Sequence, residues 1–148
     1  MLRDVEEADL PIFFEHQREP DANRMAAFPA RERDAFFAHW REKVLGNESN
    51  RKKTIVVGDE VVGYVSSWEQ DGKRLVAYWI GRAYWGRGIA TSALMEFLAH
   101  ETTRPLHAFV AAQNVGSIRV LERCGFRRVG GAPTATDDVE EYLYCLDV

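Results

Sequence analysis

The chain has 148 residues, 46% of them hydrophobic and 28% charged, which is the composition of one globular domain over residues 1–148. Its formal net charge of −4 argues against nucleic-acid binding, and no apolar run approaches the roughly 20 residues that cross a bilayer. We therefore expect a cytoplasmic protein without a membrane segment, and the spacing of the two lone cysteines, Cys124 and Cys145, predicts no metal site.

The first third of the chain predicts a short strand and two helices. A strand is expected near residues 2–5, and Asp9 is suited to cap a helix that runs to about residue 19. Residues 20–29 have the composition of a loop. A second helix is expected over residues 30–45, where apolar residues recur at helical spacing, namely Phe36, Phe37, Trp40 and Val44.

The middle of the chain predicts an antiparallel meander of three strands, and the rest alternates between helices and strands. Asp71-Gly72 is a strong hairpin signal because these residues tolerate positive φ at both turn positions. The expected strands cover residues 54–57, 61–68 and 73–80. They are followed by a helix from Gly88, a strand at 106–112, a helix at 115–124 and strands at 126–129 and 139–146. The order indicates a mixed α/β fold.

The segment "AYWIGRAYWGRGIATSALMEFL", residues 77–98, combines a strand, a glycine-rich turn and an amphipathic helix. Gly86 and Gly88 lack Cβ atoms at this corner, so backbone N–H groups can approach a ligand closely. A helix that starts here directs unpaired N–H donors and the positive end of its dipole at one place. Arg87 and Arg82 add positive charge. The segment predicts an anionic ligand that carries a pyrophosphate.

The same two glycines could serve only to make a tight turn, and two common phosphate-binding motifs do not fit them. A Walker loop needs Gly-Lys-Ser/Thr after four spacers, which the sequence lacks. A dinucleotide-binding turn needs a third small residue where Thr91 stands, and it normally precedes most of the sheet, whereas here a meander comes first.

Two motifs in order, "WIGRAYWGRGIATSAL" and "NVGSIRVLERCGF", resemble those of the GNAT superfamily of acetyl-CoA-dependent N-acetyltransferases. They are most similar to the branch of ribosomal-protein N-terminal acetyltransferases. The superfamily pattern is Gln or Arg, two residues, Gly, one residue, then Gly or Ala. Trp85 departs from it, because the pattern expects Gln or Arg near the start of this turn.

The resemblance implies a single-domain GNAT-like fold: a mixed, mostly antiparallel, twisted sheet of six or seven strands with about four flanking helices. The sheet would splay after the fourth strand and hold acetyl-CoA, the cosubstrate, in the resulting V. The residues expected at the cofactor are Ile80, Arg82, Trp85, Gly86, Arg87, Gly88, Ile89, Ala90, Thr91 and Asn114. Asn114 is equally suited to cap the helix that follows.

The chemistry of acetyl transfer makes modest demands on the protein. The leaving thiol of a thioester has an unperturbed pKa of about 8.5, so it needs little acid assistance. An attacking ammonium must first lose a proton, so a base or an ordered water matters more, together with N–H donors for the oxyanion near Ile80. No covalent intermediate is needed, and the sequence has no GxSxG motif.

The catalytic residues follow less directly from the sequence. Many relatives carry an acid tyrosine seven residues after the motif Asn, but this chain has Leu121 there. In the resembling branch a serine that matches Ser117 is the proposed acid, although here it could be only a first-turn hydroxyl. Glu69, near the end of a central strand, is the first candidate for the base, with Tyr78 and His16 as weaker alternatives.

The functional prediction is an N-acetyltransferase that passes acetyl directly to a primary amine, either a peptide N-terminus or a small molecule. The alternative is a catalytically weak acyl-CoA-binding sensor or interaction module, which the missing tyrosine at position 121 supports. Relatives often form dimers, and the sequence leaves both a monomer and a homodimer open. We expect residues 20–29, the second helix and the turn at 68–71 to select the acceptor, because variable loops beside a cleft set specificity.

Overall fold

The computed structural model describes residues 1–26, 30–133 and 140–148. Seven strands form one sheet in the order β1-β2-β3-β4-β5-β7-β6. They are β1 (Leu2–Arg3), β2 (Arg51–Val57), β3 (Glu60–Gln70), β4 (Lys73–Ile80), β5 (Leu106–Ala111), β6 (Arg127–Pro133) and β7 (Glu140–Leu146). The helices are α1 (Leu10–Gln17), α2 (Pro20–Ala26), α3 (Arg33–His39), α4 (Ile89–Leu98) and α5 (Val115–Arg123), and α3 continues into a π-helical turn, Trp40–Leu45.

The sheet opens between β4 and β5, which form its one parallel pair among the described strands. Their register covers only Arg74 opposite Leu106 and Leu75 opposite His107. Beyond this point the two strands are no longer paired, although β4 continues to Ile80. The predicted α/β sheet with a splay after the fourth strand is confirmed.

A buried ion pair lies where the strands separate. The Arg74 Nε donates to a Glu101 carboxylate oxygen at 3.0 Å and to the Ser67 hydroxyl at 3.0 Å. The side chains of Arg74 and Glu101 are 5% and 0% exposed. Because a buried charge without its partner is costly, this pair fixes the last paired residues before the gap.

The backbone of β4 beyond the splay faces the gap. The Gly81 N–H donates to the Val62 carbonyl at 2.8 Å, on the β3 side. Because main-chain groups alternate in direction along an antiparallel strand, those of Ile80 and Tyr78 point the other way. They therefore lie along the inner wall of the V.

Two hydrophobic clusters cover the two faces of the sheet. Helices α4 and α5 pack on one face through Ala93, Leu94, Phe97 and Leu121. Helices α1 and α3 cover the other face with an aromatic cluster, in which the rings of Trp40 and Tyr64 meet edge to face at 4.8 Å between centroids. Burial of such large side chains stabilises the fold by about 2 kcal/mol each.

Several predicted boundaries differ from the structure. Residues 20–26, expected to be loop, form α2, which starts with Pro20 at a position that tolerates a missing N–H and buries Ala22. Residues 27–29 and Val139 lie outside the described residues. The second helix starts at Arg33. Asp9 precedes α1, but its carboxylate does not cap that helix and instead accepts from the Glu6 N–H at 2.9 Å.

The meander and the helices of the second half are confirmed, with β4 matching the expected residues 73–80. Strand β2 starts three residues before its expected run, and β3 extends its expected run by one residue at the start and two at the end. In the described part of the chain, no helix is both long enough and apolar enough to cross a bilayer.

Candidate active site

The glycine corner between β4 and α4 has the open backbone that the sequence predicts. Gly86 and Gly88 have φ of +78° and +73°, a conformation that side chains rarely adopt. A Cβ placed on either one would meet no other heavy atom within 4 Å, so space lies beside both. The corner is therefore accessible to a ligand.

The first turn of α4 provides N–H donors that no side chain caps. The earliest N–H of this helix with a backbone acceptor is that of Ser92, which donates to the Gly88 carbonyl at 3.1 Å. The N–H groups of Ile89, Ala90 and Thr91 precede it and have no helical acceptor. Together with the helix dipole they make a site for an anion.

A cleft of about 440 Å³ lies in front of this corner. Its charged lining residues, among those described, are Arg119 and Arg123 of α5, four positions apart on one helix face. No Asp or Glu of the described residues lines it. The cleft therefore offers positive charge and N–H donors, which is what a pyrophosphate requires.

Eight of the ten residues predicted at the cofactor line this cleft: Ile80, Trp85, Gly86, Gly88, Ile89, Ala90, Thr91 and Asn114. Arg82 and Arg87 do not line it. The Arg82 side chain is 3.4 Å from the Asp21 carboxylate and stacks over the Trp85 ring at 4.9 Å. Arg87 lies over the Tyr84 ring at 5.8 Å. Their roles at the cofactor stay predictions.

Trp85, the departure from the family pattern, contacts the wall of the cleft. Its indole N–H donates to the Ile80 carbonyl at 2.9 Å, and the side chain is 37% exposed. A carbonyl has two lone pairs, so Ile80 can still accept a second hydrogen bond. Trp85 thus occupies one acceptor position at Ile80, a residue expected at the cofactor.

A second cavity of about 540 Å³ lies on the other side of the V, between the aromatic cluster and β5. Among the described residues, five line both cavities: Ala26, Tyr78, Trp79, Asn114 and Ser117. Helix α2 lies across the gap, because the Gln113 side chain, just beyond β5, donates to the Arg24 carbonyl. The site therefore has two chambers that meet at one junction.

Two hydroxyl groups stand at this junction. The Tyr78 and Ser117 oxygens are 2.6 Å apart, and the Ser117 main chain is held by its N–H, which donates to the Asn114 side chain at 3.2 Å. Burial raises the pKa of Tyr78 well above its ordinary value, and the hydrogen bond with Ser117 lowers it less than burial raises it. Tyr78 therefore keeps its proton at neutral pH. Asn114 is confirmed as the helix cap.

Residues 1–127 match a family model described as the acetyltransferase (GNAT) domain. The chain belongs to the GNAT acetyltransferase family. The predicted family and, at the level of the family, the prediction of an acyltransferase that uses acetyl-CoA are confirmed.

The relatives of this GNAT domain include enzymes with different acceptors. It is 29% identical over 94 residues to the uncharacterized N-acetyltransferase p20 of Bacillus licheniformis, a match that covers 58% of this chain and about half, 53%, of that protein. The solved structure of RimL, a ribosomal L7/L12 alpha-N-protein acetyltransferase with coenzyme A, is similar with a TM-score of 0.84 at 18% identity, covering 99% of this chain and 93% of that one. The structure of spermidine N-acetyltransferase from Vibrio cholerae, with CoA and spermine, is similar with a TM-score of 0.84 at 15% identity. That match covers 99% of this chain and 94% of that one.

The expected base, Glu69, does not line either cavity of the GNAT domain. Tyr64, Ser66 and Trp68 of β3 line the second cavity, and strand alternation places Glu69 on the opposite face. There it is exposed, with one carboxylate oxygen 3.9 Å from Arg74. This position gives a catalytic role of Glu69 no support.

His16, one of the two weaker alternatives for the base, packs against Gly81 at the end of β4. A Cβ on Gly81 would meet its imidazole at 2.8 Å, and His16 lines neither cavity.

Sequence reasoning missed Glu141, which lines the second cavity from β7 and is the one carboxylate among the described lining residues. Its pairing with Ala111, near Asn114, could not be read from local patterns.

Proposed function

We propose that this GNAT domain is an acetyl-CoA-dependent N-acetyltransferase that passes acetyl to a primary amine. The observation that carries the proposal is the junction of the two chambers, where Tyr78 and Ser117 lie between an anion-binding helix start and a second cavity with a carboxylate. A cosubstrate in one chamber and an amine in the other would meet there. A cytoplasmic location and a homodimer stay predictions.

The first chamber fits the charged part of acetyl-CoA. The N–H groups of Ile89, Ala90 and Thr91 would hold the pyrophosphate, with Arg119 and Arg123 supplying charge. The main-chain edge of β4 from Val76 to Ile80, which β5 does not pair with, would bind the amides of the pantetheine arm, as a further strand would. The cosubstrate supplies an activated thioester, so this protein needs to position it and to move protons.

Tyr78 and Ser117 are the proposed proton donors. When the amine nitrogen bonds to the acetyl carbon and the carbon–sulfur bond breaks, the electron pair of that bond leaves with sulfur. Tyr78 is protonated at neutral pH, as a tyrosine of ordinary pKa already is, and burial raises its pKa further, so its hydroxyl can donate to this sulfur. Ser117, 2.6 Å away, can relay to Tyr78 the second proton, which the amine nitrogen loses once it has bonded to the acetyl carbon. The same raised pKa makes Tyr78 unsuited to be the base.

Glu141 is the proposed base. The amine enters as an ammonium and must lose one proton before its lone pair can attack. Glu141 faces the second cavity and can accept that proton through an ordered water. Glu141 lies on β7, which pairs with β5, and α3 lines the same cavity through Phe36 and His39.

Thiol release tests the proposal. Purified protein is incubated with acetyl-CoA and a panel of amines and N-terminal peptides, and free thiol is measured against a control without amine. Amine-dependent thiol release, with acetylated amine found by mass spectrometry, supports the transferase. Tight coenzyme A binding without release across the panel would contradict it and favour the acyl-CoA-binding sensor.

A further inference from the structure

We propose, on the basis of the proposed acetyl transfer, that the acceptor of this enzyme carries a carboxylate close to its reacting amine. The inference comes from the charges around the second cavity, which differ in sign between its two sides. Small amino dicarboxylates and peptides with an acidic N-terminal segment share this chemistry.

One side of the second cavity carries a cluster of basic side chains. Arg31 lines it from the segment just before α3, His39 from α3 itself and Lys43 from the π-helical turn. Arg31 and Lys43 bring a guanidinium and an ammonium group to this side. Burial and, to a smaller extent, both of these charges lower the pKa of His39, which shows that the three groups lie near one another.

The main chain of Arg31 is fixed at the cavity by a buried side chain. Gln17 of α1, 5% exposed, donates from Nε2 to the Arg31 carbonyl at 3.1 Å and accepts from the Arg31 N–H at 2.9 Å. Both ends of one amide are thus used to hold one residue. An arrangement of this kind positions Arg31 before any ligand binds.

The acidic side of the cavity lies toward the junction. Glu141 is the one carboxylate among the described lining residues, and it pairs with Ala111, three residues before Asn114. An acceptor whose amine lies near Glu141 and Tyr78 would have its remaining part in the same cavity as Arg31 and Lys43. A carboxylate there would be attracted, and a second ammonium would be repelled.

This arrangement is at odds with a polycationic acceptor. The chain as a whole has a net charge of −4, whereas the described residues that line this cavity include more basic than acidic side chains. A polyamine needs a carboxylate for each ammonium group that it brings into a cavity. Such an acceptor would place a cation beside Arg31 and Lys43.

The test measures binding and transfer separately. Two amidated tetrapeptides, Ala-Glu-Glu-Ala and Ala-Lys-Lys-Ala, are titrated into the coenzyme A complex by calorimetry, and both are then assayed for thiol release from acetyl-CoA. Free glutamate and spermidine form a second pair, which distinguishes a small acceptor from a peptide. We expect the acidic member of at least one pair to bind about tenfold more tightly.

A charge reversal supplies the matched variants. Lys43→Glu, at an exposed position on the rim, is expected to reverse or abolish the preference through KM while kcat changes little. Lys73→Glu makes the same change in net charge at an exposed strand end and is expected to leave the preference intact. Lys43→Gln should have an intermediate effect.

The outcomes separate this inference from the proposed function. Tighter binding of the acidic member without transfer would support the inference and contradict the transferase. The inference would be overturned if the enzyme acetylated the cationic members as well as or better than the acidic ones and if Lys43→Glu did not change this preference. The transferase proposal would then still stand. Failure of every member to bind the coenzyme A complex would also overturn the inference.

Discussion

The Tyr78 hydroxyl oxygen lies 2.6 Å from the Ser117 hydroxyl oxygen, joining a strand of one arm of the V to a helix of the other. The two residues are 39 positions apart in sequence. Tyr78 can also donate to the Ser117 carbonyl, at 3.2 Å. The family position that often holds an acid tyrosine is Leu121, which is 1% exposed in the core. A tyrosine hydroxyl is therefore present at the junction, but it comes from β4.

Replacing Tyr78 by phenylalanine should slow acetyl transfer. Loss of the proton donor is expected to lower kcat by about a hundredfold, the usual scale of general acid catalysis. The Kd of coenzyme A should change little, because the ring remains. Steady-state thiol release and calorimetry on the same preparation measure the two quantities. A wild-type kcat in this variant would exclude Tyr78 as the donor.

Ser117→Ala should have a smaller effect that depends on Tyr78. If both hydroxyls serve one proton path, the double variant will be about as slow as Tyr78→Phe alone, because the effects of coupled groups do not add. Rates of the four proteins in this cycle are compared at saturating substrate. Additive losses would show that the two hydroxyls act independently.

Gly86→Val should weaken coenzyme A binding. Gly86 has φ +78°, where a β-branched residue costs about 1–2 kcal/mol, so the corner must rearrange and its N–H groups turn away from the ligand. We expect the Kd to rise by about tenfold or more.

Gly58→Val is the matched control for the corner. Gly58 has φ +62° in a hairpin turn with open space around it, and it lines neither cavity. The two substitutions should cost similar amounts of unfolding free energy, measured in urea, but only Gly86→Val should raise the Kd. Equal affinities of the two variants would argue that the corner does not hold the phosphates.

The arginines of α5 should account for part of the salt dependence of coenzyme A binding. Arg119→Gln with Arg123→Gln is expected to raise the Kd by about tenfold at low salt and to flatten its dependence on ionic strength. Arg18→Gln, an exposed arginine of the region after α1, serves as the control. Titrations at two salt concentrations make the comparison. An unchanged salt slope would place the phosphates elsewhere.

Asp9 should make the stability of the fold depend on pH in the acid range. Its buried carboxylate accepts from both Arg3 guanidinium NH₂ groups at 2.8 Å and from the Thr54 hydroxyl at 2.7 Å. Burial alone would raise the pKa of Asp9, but these bonds, with that from the Glu6 N–H, lower it.

Because the pKa of Asp9 is lower in the folded state, Asp9 contributes to the free energy of unfolding above its unfolded pKa of about 4. This contribution is lost as the pH falls through the folded pKa. Asp9→Asn should cost about 2–3 kcal/mol at pH 7 and reduce the loss of stability on acidification. Urea unfolding at pH 7 and at about pH 3 tests this, with the exposed Asp59→Asn as control. Parallel pH profiles for all three proteins would contradict the role given to Asp9.

Local patterns in the sequence predict most of the fold and the cofactor side of the site. The run Lys73–Ile80 is a strand because it is rich in β-branched and aromatic residues after Asp71-Gly72, and Gly86 and Gly88 adopt the positive φ that their corner requires. Tyr78, Trp79 and Ile80, at the end of this strand, all line the first chamber.

Features that depend on pairing between distant segments were not predictable in this way. Helix α2 lacks an apolar period and buries mainly Ala22, so its sequence reads as a loop. Glu69 and Glu141 differ only in the face and the strand that tertiary pairing gives them. Arg119 and Arg123 resemble a solvated helix face until the neighbouring corner is in place.

A crystal structure with bound acetyl-CoA shows directly whether the start of α4 and the junction of the two chambers hold this cosubstrate. We predict that the pyrophosphate accepts hydrogen bonds from the N–H groups of Ile89, Ala90 and Thr91, and that the thioester sulfur lies within hydrogen-bonding reach of the Tyr78 hydroxyl. A cofactor bound outside the V, or one whose sulfur lies away from Tyr78 and Ser117, would contradict the account.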